Sequence, residues 1–440
     1  MRQVFGARSS LSAIVLLGSC VTAGLILASL PRCADESIFQ HDAAIPDGTP
    51  WKLDGFEPGD IYVNPCAPNP APSVTGKVYA PNGVDPVAGA SVHVALGLLA
   101  LPKTVQCESC SVKGKFSANV YSKADGSFKL EGVPNNKPFW LGLQKGYFRR
   151  YLNLTVPACG TLALTKEQST LPGKNKQYGQ YDSIPRIAVV SGAWDKMEKV
   201  LDKLGVPPSD ITVYNGRDYG TGAQSMQALL GNAGLMRTFH MILINCGTKF
   251  ESLITGTDSI YRDAVRAYIR AGGRLFVTDF SYDYVEQVFP EFIDFEGSDG
   301  TPESQPEGPD AAEVGTQMPS TAGTIKDSDL KAWLGLPEIK ALQPDGTVKI
   351  EGFMTGWAVQ KKVADTLGAK VWVTGKALAP GVNEIRPLTT SFEFLDSDLK
   401  GCGRVVFSSY HTHGTAADLL PQERILEYLL LEIGTCIELE

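Results

Sequence analysis

The chain has 440 residues, which is enough for two or three domains with sizeable cores. A hydrophobic content of 43% and a charged content of 20% are ordinary for a globular protein and exclude a largely disordered chain. The net charge of −8 argues against a nucleic-acid partner, because such a partner usually needs a basic face. Only five histidines are available as metal ligands or general bases.

Residues 1–30 have the pattern of a signal peptide or a membrane anchor. Two arginines precede residues 11–30, which carry no charge, and the run Leu17-Gly18-Ser19-Cys20 resembles a lipobox. Cys20 is therefore a lipidation candidate. Because the run stays apolar after Cys20, an uncleaved anchor and an ordinary secretory signal are alternatives. All three place the body of the protein outside the cytoplasm, in the periplasm, at the outer membrane or on the cell surface.

A linker and a β-sandwich are predicted next. Residues 31–72 are rich in Pro, Asp, Asn and Gly with little periodicity, which predicts a linker. Residues 73–164 contain several short strands separated by turns, the pattern of a sandwich. Its turn and core segments are Val74-Thr75-Gly76-Lys77-Val78, Val87-Ala88-Gly89-Ala90-Ser91-Val92 and Asp125-Gly126-Ser127-Phe128. They resemble the carboxypeptidase regulatory-like domain, which implies an all-β transthyretin-like fold and a mostly non-catalytic accessory role.

The second half of the chain has an α/β pattern. Residues 165–183 are polar and predict a further linker, and residues 184–440 alternate strands with helices. This alternation predicts a parallel sheet with right-handed crossovers. The clearest element is a Gly272-Gly273 break that leads into a short apolar strand. Strand-like segments over about residues 296–398 predict a β insertion, after which a buried strand and a core-facing helix close the domain.

This order of elements resembles the class I glutamine amidotransferase-like fold, a flavodoxin-like architecture, and is most similar to its degenerate extracytoplasmic trehalose-utilisation-type branch. The resemblance implies a catalytic Cys on a Gly-flanked elbow after the strand at 275–278, and a His after the last strand. Here the elbow position holds Asp279-Phe280-Ser281-Tyr282-Asp283, with neither a Cys nor the glycines that a strained turn needs. Cys246 follows a different strand. We therefore do not expect a glutaminase.

Two chemistries are conceivable at these strand ends. Ser281 can be a nucleophile if His411 or His413 is its base and Asp279 or Asp283 orients that base. Alternatively, Asp279, His411 and His413 can hold a metal ion, because their ligand types are acceptable. We favour a third interpretation, in which these polar side chains line a vestigial cleft.

The nine cysteines agree with export, since cysteines tend to pair in an oxidising compartment. Cys107-Glu108-Ser109-Cys110 lacks the flanking elements of a redox motif and the second pair of a zinc site. We expect it to be a disulfide-braced loop that can also involve Cys66 and Cys159. Cys402 opens the last strand and Cys436 follows the last helix, so we predict a Cys402–Cys436 bond.

The combination of these parts resembles a group of uncharacterised envelope proteins of myxobacteria and their relatives. Besides the leader and the sandwich, the resemblance rests on Ile184-Pro185-Arg186-Ile187-Ala188, Cys402-Gly403-Arg404-Val405-Val406-Phe407, Pro421-Gln422-Glu423 and Cys436. It implies a location and a domain plan, and it does not imply an activity.

We therefore predict a multidomain, non-catalytic envelope lipoprotein with a binding or structural role. The expected partner is a glycan or another envelope protein, and the N-terminus contacts the membrane. No cofactor is expected. The hydrolase and the metal site are the alternatives. The predicted contact patch consists of Tyr147, Phe148, Arg149, Arg150 and Tyr151.

Overall fold

The computed structural model describes residues 64–98, 100–107, 116–218, 222, 224–248, 250–255, 259–297, 305–394, 402–412 and 418–433. Within these residues the fold is mostly β, with one large mixed sheet, three smaller sheets and several helices. None of the helices found there is long and apolar enough to cross a membrane. The predicted leader and most of the first linker lie outside the described residues.

The strands and helices have the following bounds. The strands are β1 (Ser73–Lys77), β2 (Ser91–Ala95), β3 (Phe116–Tyr121), β4 (Ser127–Glu131), β5 (Pro138–Lys145), β6 (Phe148–Thr155), β7 (Thr161–Ala163), β8 (Ile187–Ser191), β9 (Ile211–Asn215), β10 (Met241–Ile244), β11 (Arg274–Thr278), β12 (Ile293–Phe295), β13 (Met318–Ile325), β14 (Val348–Phe353), β15 (Gln360–Val363), β16 (Lys370–Ala379), β17 (Val382–Phe394) and β18 (Gly403–Ser408). The helices are α1 (Lys166–Ser169), α2 (Met197–Lys203), α3 (Met226–Leu230), α4 (Ala233–Met236), α5 (Ile260–Arg270), α6 (Asp283–Glu286), α7 (Ser328–Leu334) and α8 (Pro421–Ile433).

The first seven strands form two sheets, in the orders β4-β1-β7 and β3-β2-β5-β6. In β4 the side chains of Phe128 and Leu130 are buried while those of Lys129 and Glu131 are exposed. That alternation is expected of a strand with one face against a core. Apolar residues of both sheets, such as Leu130 and Leu141, belong to the same buried cluster, so the sheets pack against each other.

The large sheet has nine strands in the order β14-β13-β16-β17-β18-β11-β10-β8-β9. The last five in that order run parallel, and the others extend the sheet in antiparallel pairs. Both faces are covered: Phe276 points into one apolar core, and its neighbours Leu275 and Val277 point into another. Strands that are buried on both faces need continuous apolar runs, which explains the sequences of β8, β10 and β11.

A buried ionic triad joins the N-terminal strands to helix α8. The Arg424 guanidinium lies 2.5 Å from a carboxylate oxygen of Asp85 and 2.9 Å from one of Glu427. Nearby, the indole N–H of Trp333 donates to the carbonyl of Pro86 at 2.7 Å. Because the carboxyl group of Asp85 is buried, removing its partner Arg424 would leave that carboxylate without a compensating charge.

The predicted contact patch on the sandwich is wrong, because all five of its side chains are buried. Tyr147 packs against the ring of His240 with centroids 4.5 Å apart. Arg149 donates to the side-chain oxygen of Gln144, and Arg150 donates to the carbonyl of Thr170 at 2.7 Å. Arginine side chains can be buried when their N–H groups donate to partners in this way. The alternation of polar and apolar residues along a strand does not reveal such partners.

Among the described residues there are two disulfides, Cys66–Cys159 and Cys107–Cys402. The predicted Cys402–Cys436 bond is therefore wrong; Cys436 and Cys110 lie outside the described residues. Cys402 pairs with Cys107 because the insert of the sandwich crosses to the α/β layer, where Val105 donates to the carbonyl of Arg237. Gly272 permits this approach, because a Cβ there would lie 2.6 Å from the carbonyl oxygen of Gln106.

We expect the free energy of unfolding to decrease as the pH rises from about 4.5 to about 8, because of the ionisation of Glu427. Burial, followed by the charge of Asp85, raises the pKa of Glu427 to about 8. The folded state therefore binds this proton more tightly than the unfolded chain, and the resulting stabilisation is lost as pH rises. The Glu427→Gln variant cannot ionise at this position, so its free energy of unfolding should fall less than that of the wild type.

The measurement is urea unfolding of both proteins at about pH 5 and about pH 8. Glu131→Gln, which changes an exposed carboxylate on β4, is the control and should follow the wild type. Equal losses of stability in the wild type and Glu427→Gln would contradict the prediction.

Candidate functional site

Three chemically capable side chains converge at the carboxyl edge of the parallel sheet. Strands β10, β11 and β18 are neighbours, and Ile244, Val277 and Phe407 are paired across them. The chain continues past these residues to Cys246, Asp279 and His411. Cys246 Sγ lies 3.6 Å from Asp279 Oδ2, and His411 Nδ1 lies 3.4 Å from the same oxygen. Ligand atoms of all three lie within 4.8 Å of one another, and we call this group the Cys–Asp–His cluster.

Asp279 adopts a backbone conformation that few residues accept. Its φ is +42°, and it begins a single 3-10 turn that runs from Asp279 to Ser281. Aspartate is one of the few side chains that tolerates this left-handed region. A tight turn therefore follows β11 without the flanking glycines that the elbow of a nucleophile would need. The turn aims the Asp279 carboxylate inward, where Oδ1 accepts from the backbone N–H of Ala358 at 2.9 Å.

Cys246 is fully buried and is held through its backbone. Its N–H donates to Thr278 Oγ1 at 3.0 Å. Gly192, at the end of β8, packs so closely that a Cβ there would lie 2.0 Å from the Cys246 carbonyl oxygen. Burial, and then the charges of Asp279 and Asp195, raise the pKa of the thiol well above its usual value.

His411 and Asp279 form a buried pair. Burial lowers the pKa of His411, but its close contact with Asp279 and the charge of Asp195 outweigh that effect and raise it. The pKa of Asp279 is raised by burial against the opposing contact with His411. The side chain of Gln422 on α8 donates to the His411 carbonyl at 2.8 Å and fixes the backbone of this loop.

Asp195, in the loop after β8, ties the neighbouring loops together. One carboxylate oxygen accepts from Thr278 Oγ1 at 2.5 Å. The other accepts from the backbone N–H of Thr412 at 2.9 Å and also from the Thr412 hydroxyl. A cavity of about 10 Å³ borders Thr278 and Thr412, which is room for about one water molecule.

The predicted nucleophile Ser281 is near this cluster but is differently bonded. Its hydroxyl donates to the carbonyl of Asn245 at 2.8 Å and lies 3.3 Å from Thr248 Oγ1. Among the hydrogen bonds of the described residues, none joins Ser281 to His411. Asp283 is buried on α6, where Oδ2 accepts from the N–H of Asp310. His413 lies outside the described residues, so its predicted role as base or ligand stays a prediction.

Cys246 is the site residue that sequence reasoning set aside. A signal for it was present, because Asn245-Cys246-Gly247 directly follows a continuously apolar strand. The carboxyl ends of parallel strands meet at one edge, and the same rule that singled out Asp279 applies to the residue after a neighbouring strand.

Comparisons with protein-family models and with curated proteins gave no match. Among solved structures, a cytoplasmic protein from Salmonella typhimurium is 10% identical, with coverage of 56% of this chain and 98% of that chain and a TM-score of 0.32. PurLQS from Thermotoga maritima is 11% identical, with 56% and 97% covered and a TM-score of 0.30. A GH42 β-galactosidase from G. stearothermophilus is 10% identical, with 57% and 30% covered and a TM-score of 0.28. Structural similarities with TM-scores this low support no inference about the fold or the function of this chain.

We expect Gly192→Ala to lower the free energy of unfolding by about 1–3 kcal/mol or more, because the added methyl group would collide with the backbone of Cys246. Gly179→Ala is the matched control, since nothing lies within 4 Å of a Cβ at that position. Chemical unfolding of the two variants compares them directly. If both were equally stable, the close approach of the β8 loop to Cys246 would be in doubt.

Proposed function

We propose that the protein is an exported envelope protein with a non-catalytic binding or structural role. The observation that carries this proposal is the burial of the candidate reactive side chains that the structure describes at the carboxyl edge. Cys246, Asp279 and His411 are 0%, 1% and 5% exposed, and Ser281 is 0% exposed. A catalytic group must reach the atom on which it acts, and these groups contact one another and the backbone instead.

The domain plan in this proposal has two parts. Strands β1–β7 form a transthyretin-like sandwich of the carboxypeptidase regulatory-like type. Residues 184–440 form a flavodoxin-like, class I glutamine amidotransferase-like domain, with the insertion at about 296–398. The five parallel strands and the antiparallel strands β13 to β17 support this assignment. The resemblance to myxobacterial envelope proteins belongs to the same proposal.

Export is supported by the two disulfides, since such bonds persist in oxidising compartments. Attachment to the membrane through Cys20, or through residues 1–30 as an anchor, completes the proposed location.

The contact surface for a partner must lie elsewhere than the buried sandwich patch. Trp194, in the loop after β8, is 55% exposed and stands at the same edge of the sheet as the Cys–Asp–His cluster. Its ring lies against Gly247, where a Cβ would be 2.7 Å from Trp194 Cδ1. Ligands of open α/β sheets bind at this edge, and an exposed indole offers a flat apolar face to a sugar ring. We take a glycan as the first partner to test and an envelope protein as the second.

The absence of catalysis can be tested with a panel of ester and amide substrates. We expect the wild type, Ser281→Ala and His411→Ala to give the same background rate, because neither side chain is presented to a substrate. Turnover by the wild type that Ser281→Ala or His411→Ala abolishes would overturn the proposal in favour of the hydrolase.

Glycan binding can be tested on immobilised envelope polysaccharides and peptidoglycan fragments. We expect Trp194→Ala to bind about three- to ten-fold more weakly than the wild type, as loss of one aromatic contact predicts. Tyr121→Ala is the control, because Tyr121 is equally exposed, at 56%, but lies on the sandwich strand β3. Equal binding by Trp194→Ala would exclude this edge, and failure of the wild type to bind any glycan would leave the envelope protein as the partner.

A further inference from the structure

We propose that the Cys–Asp–His cluster holds a divalent transition-metal ion, with zinc as the best fit, through Cys246 Sγ, Asp279 Oδ2 and His411 Nδ1. This inference goes beyond the proposed function, and it departs from the expectation that the protein has no cofactor. The sequence suggested a metal site of Asp279, His411 and His413. In the site proposed here, Cys246 takes the place of His413.

The spacing of the three atoms suits a small ion. Asp279 Oδ2 lies 3.6 Å from Cys246 Sγ and 3.4 Å from His411 Nδ1. Bonds of about 2.0 Å to nitrogen or oxygen and about 2.3 Å to sulfur place tetrahedral ligands about 3.3–3.6 Å apart. Both distances to Asp279 Oδ2 therefore match the separations that zinc would impose, while the ligand atoms of Cys246 and His411 lie within 4.8 Å of each other.

The ligand types select the metal. Calcium and magnesium prefer oxygen ligands, whereas a thiolate with an imidazole and a carboxylate is a set that zinc binds readily. A thiolate and a carboxylate also neutralise the two charges of the ion.

The side chains are held in place before any ion arrives. Asp279 Oδ1 is occupied by the N–H of Ala358, which leaves Oδ2 to face both other ligands. Thr278 accepts from the backbone of Cys246 and donates to Asp195, which in turn holds Thr412 next to His411. Supporting hydrogen bonds of this kind orient metal ligands in known sites.

The site would differ from a typical catalytic zinc centre. The described residues supply three ligands, so water would take the fourth position. However, all three ligands are buried, and the cavity of about 10 Å³ that borders Thr278 and Thr412 is lined by none of them, so it does not open the fourth position to a substrate. The ion would therefore mainly brace the loops that follow β10, β11 and β18.

The full chain is expressed with export to the periplasm of a host that is grown with added zinc or cobalt. The purified protein is then dialysed to remove loosely bound metal. We expect about one ion per wild-type chain by elemental analysis. The cobalt form should show a thiolate-to-cobalt charge-transfer absorption, which requires the Cys246 sulfur as a ligand. Cys246→Ala should lose this absorption, and His411→Ala should retain about ten-fold less metal.

Ser281→Ala is the matched control, since Ser281 is buried beside the cluster but bonds to the Asn245 carbonyl; it should keep both metal and absorption. The wild-type result stands without any variant, so misfolding of Cys246→Ala does not weaken the test. Folded wild type without bound metal, or with cobalt but no charge-transfer absorption, would overturn the site. The outcome of the metal experiment is independent of the substrate and glycan experiments, so the metal site and the proposed function can fail separately.

Discussion

The parallel pairing of β10, β11 and β18 is the constraint on which the rest of the site depends. Ile244, Val277 and Phe407 stand side by side, so the polar residues that follow each strand are delivered to the same place. Both faces of the sheet are covered by apolar cores, and polar side chains therefore have only the edge in which to gather. A shift in the register of any one strand would separate the cluster.

The polar edge is stable because its groups are paired. Buried polar atoms are costly when they lack partners, and a network that is fully satisfied makes one arrangement specific. Asp195 is an example, since one of its oxygens accepts from Thr278 at the end of β11 and the other accepts from Thr412 in the loop after β18. Where the sandwich meets α8, Arg424 contacts the carboxyl groups of Asp85 and Glu427, but Asp85 Oδ1, Arg424 Nε and Glu427 Oε1 have no hydrogen-bond partner among the described residues, so this group is only partly satisfied.

The sequence predicted those strands and helices whose buried residues are continuous or recur at a regular spacing. The strands β8, β10, β11 and β18 and the helix α8 follow from continuous apolar runs and a helical stripe. Asp279 and His411 could be singled out because they follow such strands. The positive φ of Asp279 could not be foreseen, because it depends on contacts such as the one with Ala358. Cys246 was missed because no local pattern tells which strand is the neighbour of β11.

The pairing of Cys107 with Cys402 has a consequence for how the chain matures. The partners of Cys66–Cys159 are 93 residues apart, so if the chain meets an oxidising compartment during synthesis, this bond can close before the second half of the chain is made. Cys107 must wait for a partner 295 residues further on. Throughout that interval its thiol can attack the Cys66–Cys159 bond, and exchange of this kind is resolved by thiol–disulfide isomerases. Correct maturation should therefore depend more strongly on the supply of isomerase than it would if Cys66–Cys159, which closes the shorter loop, were formed alone.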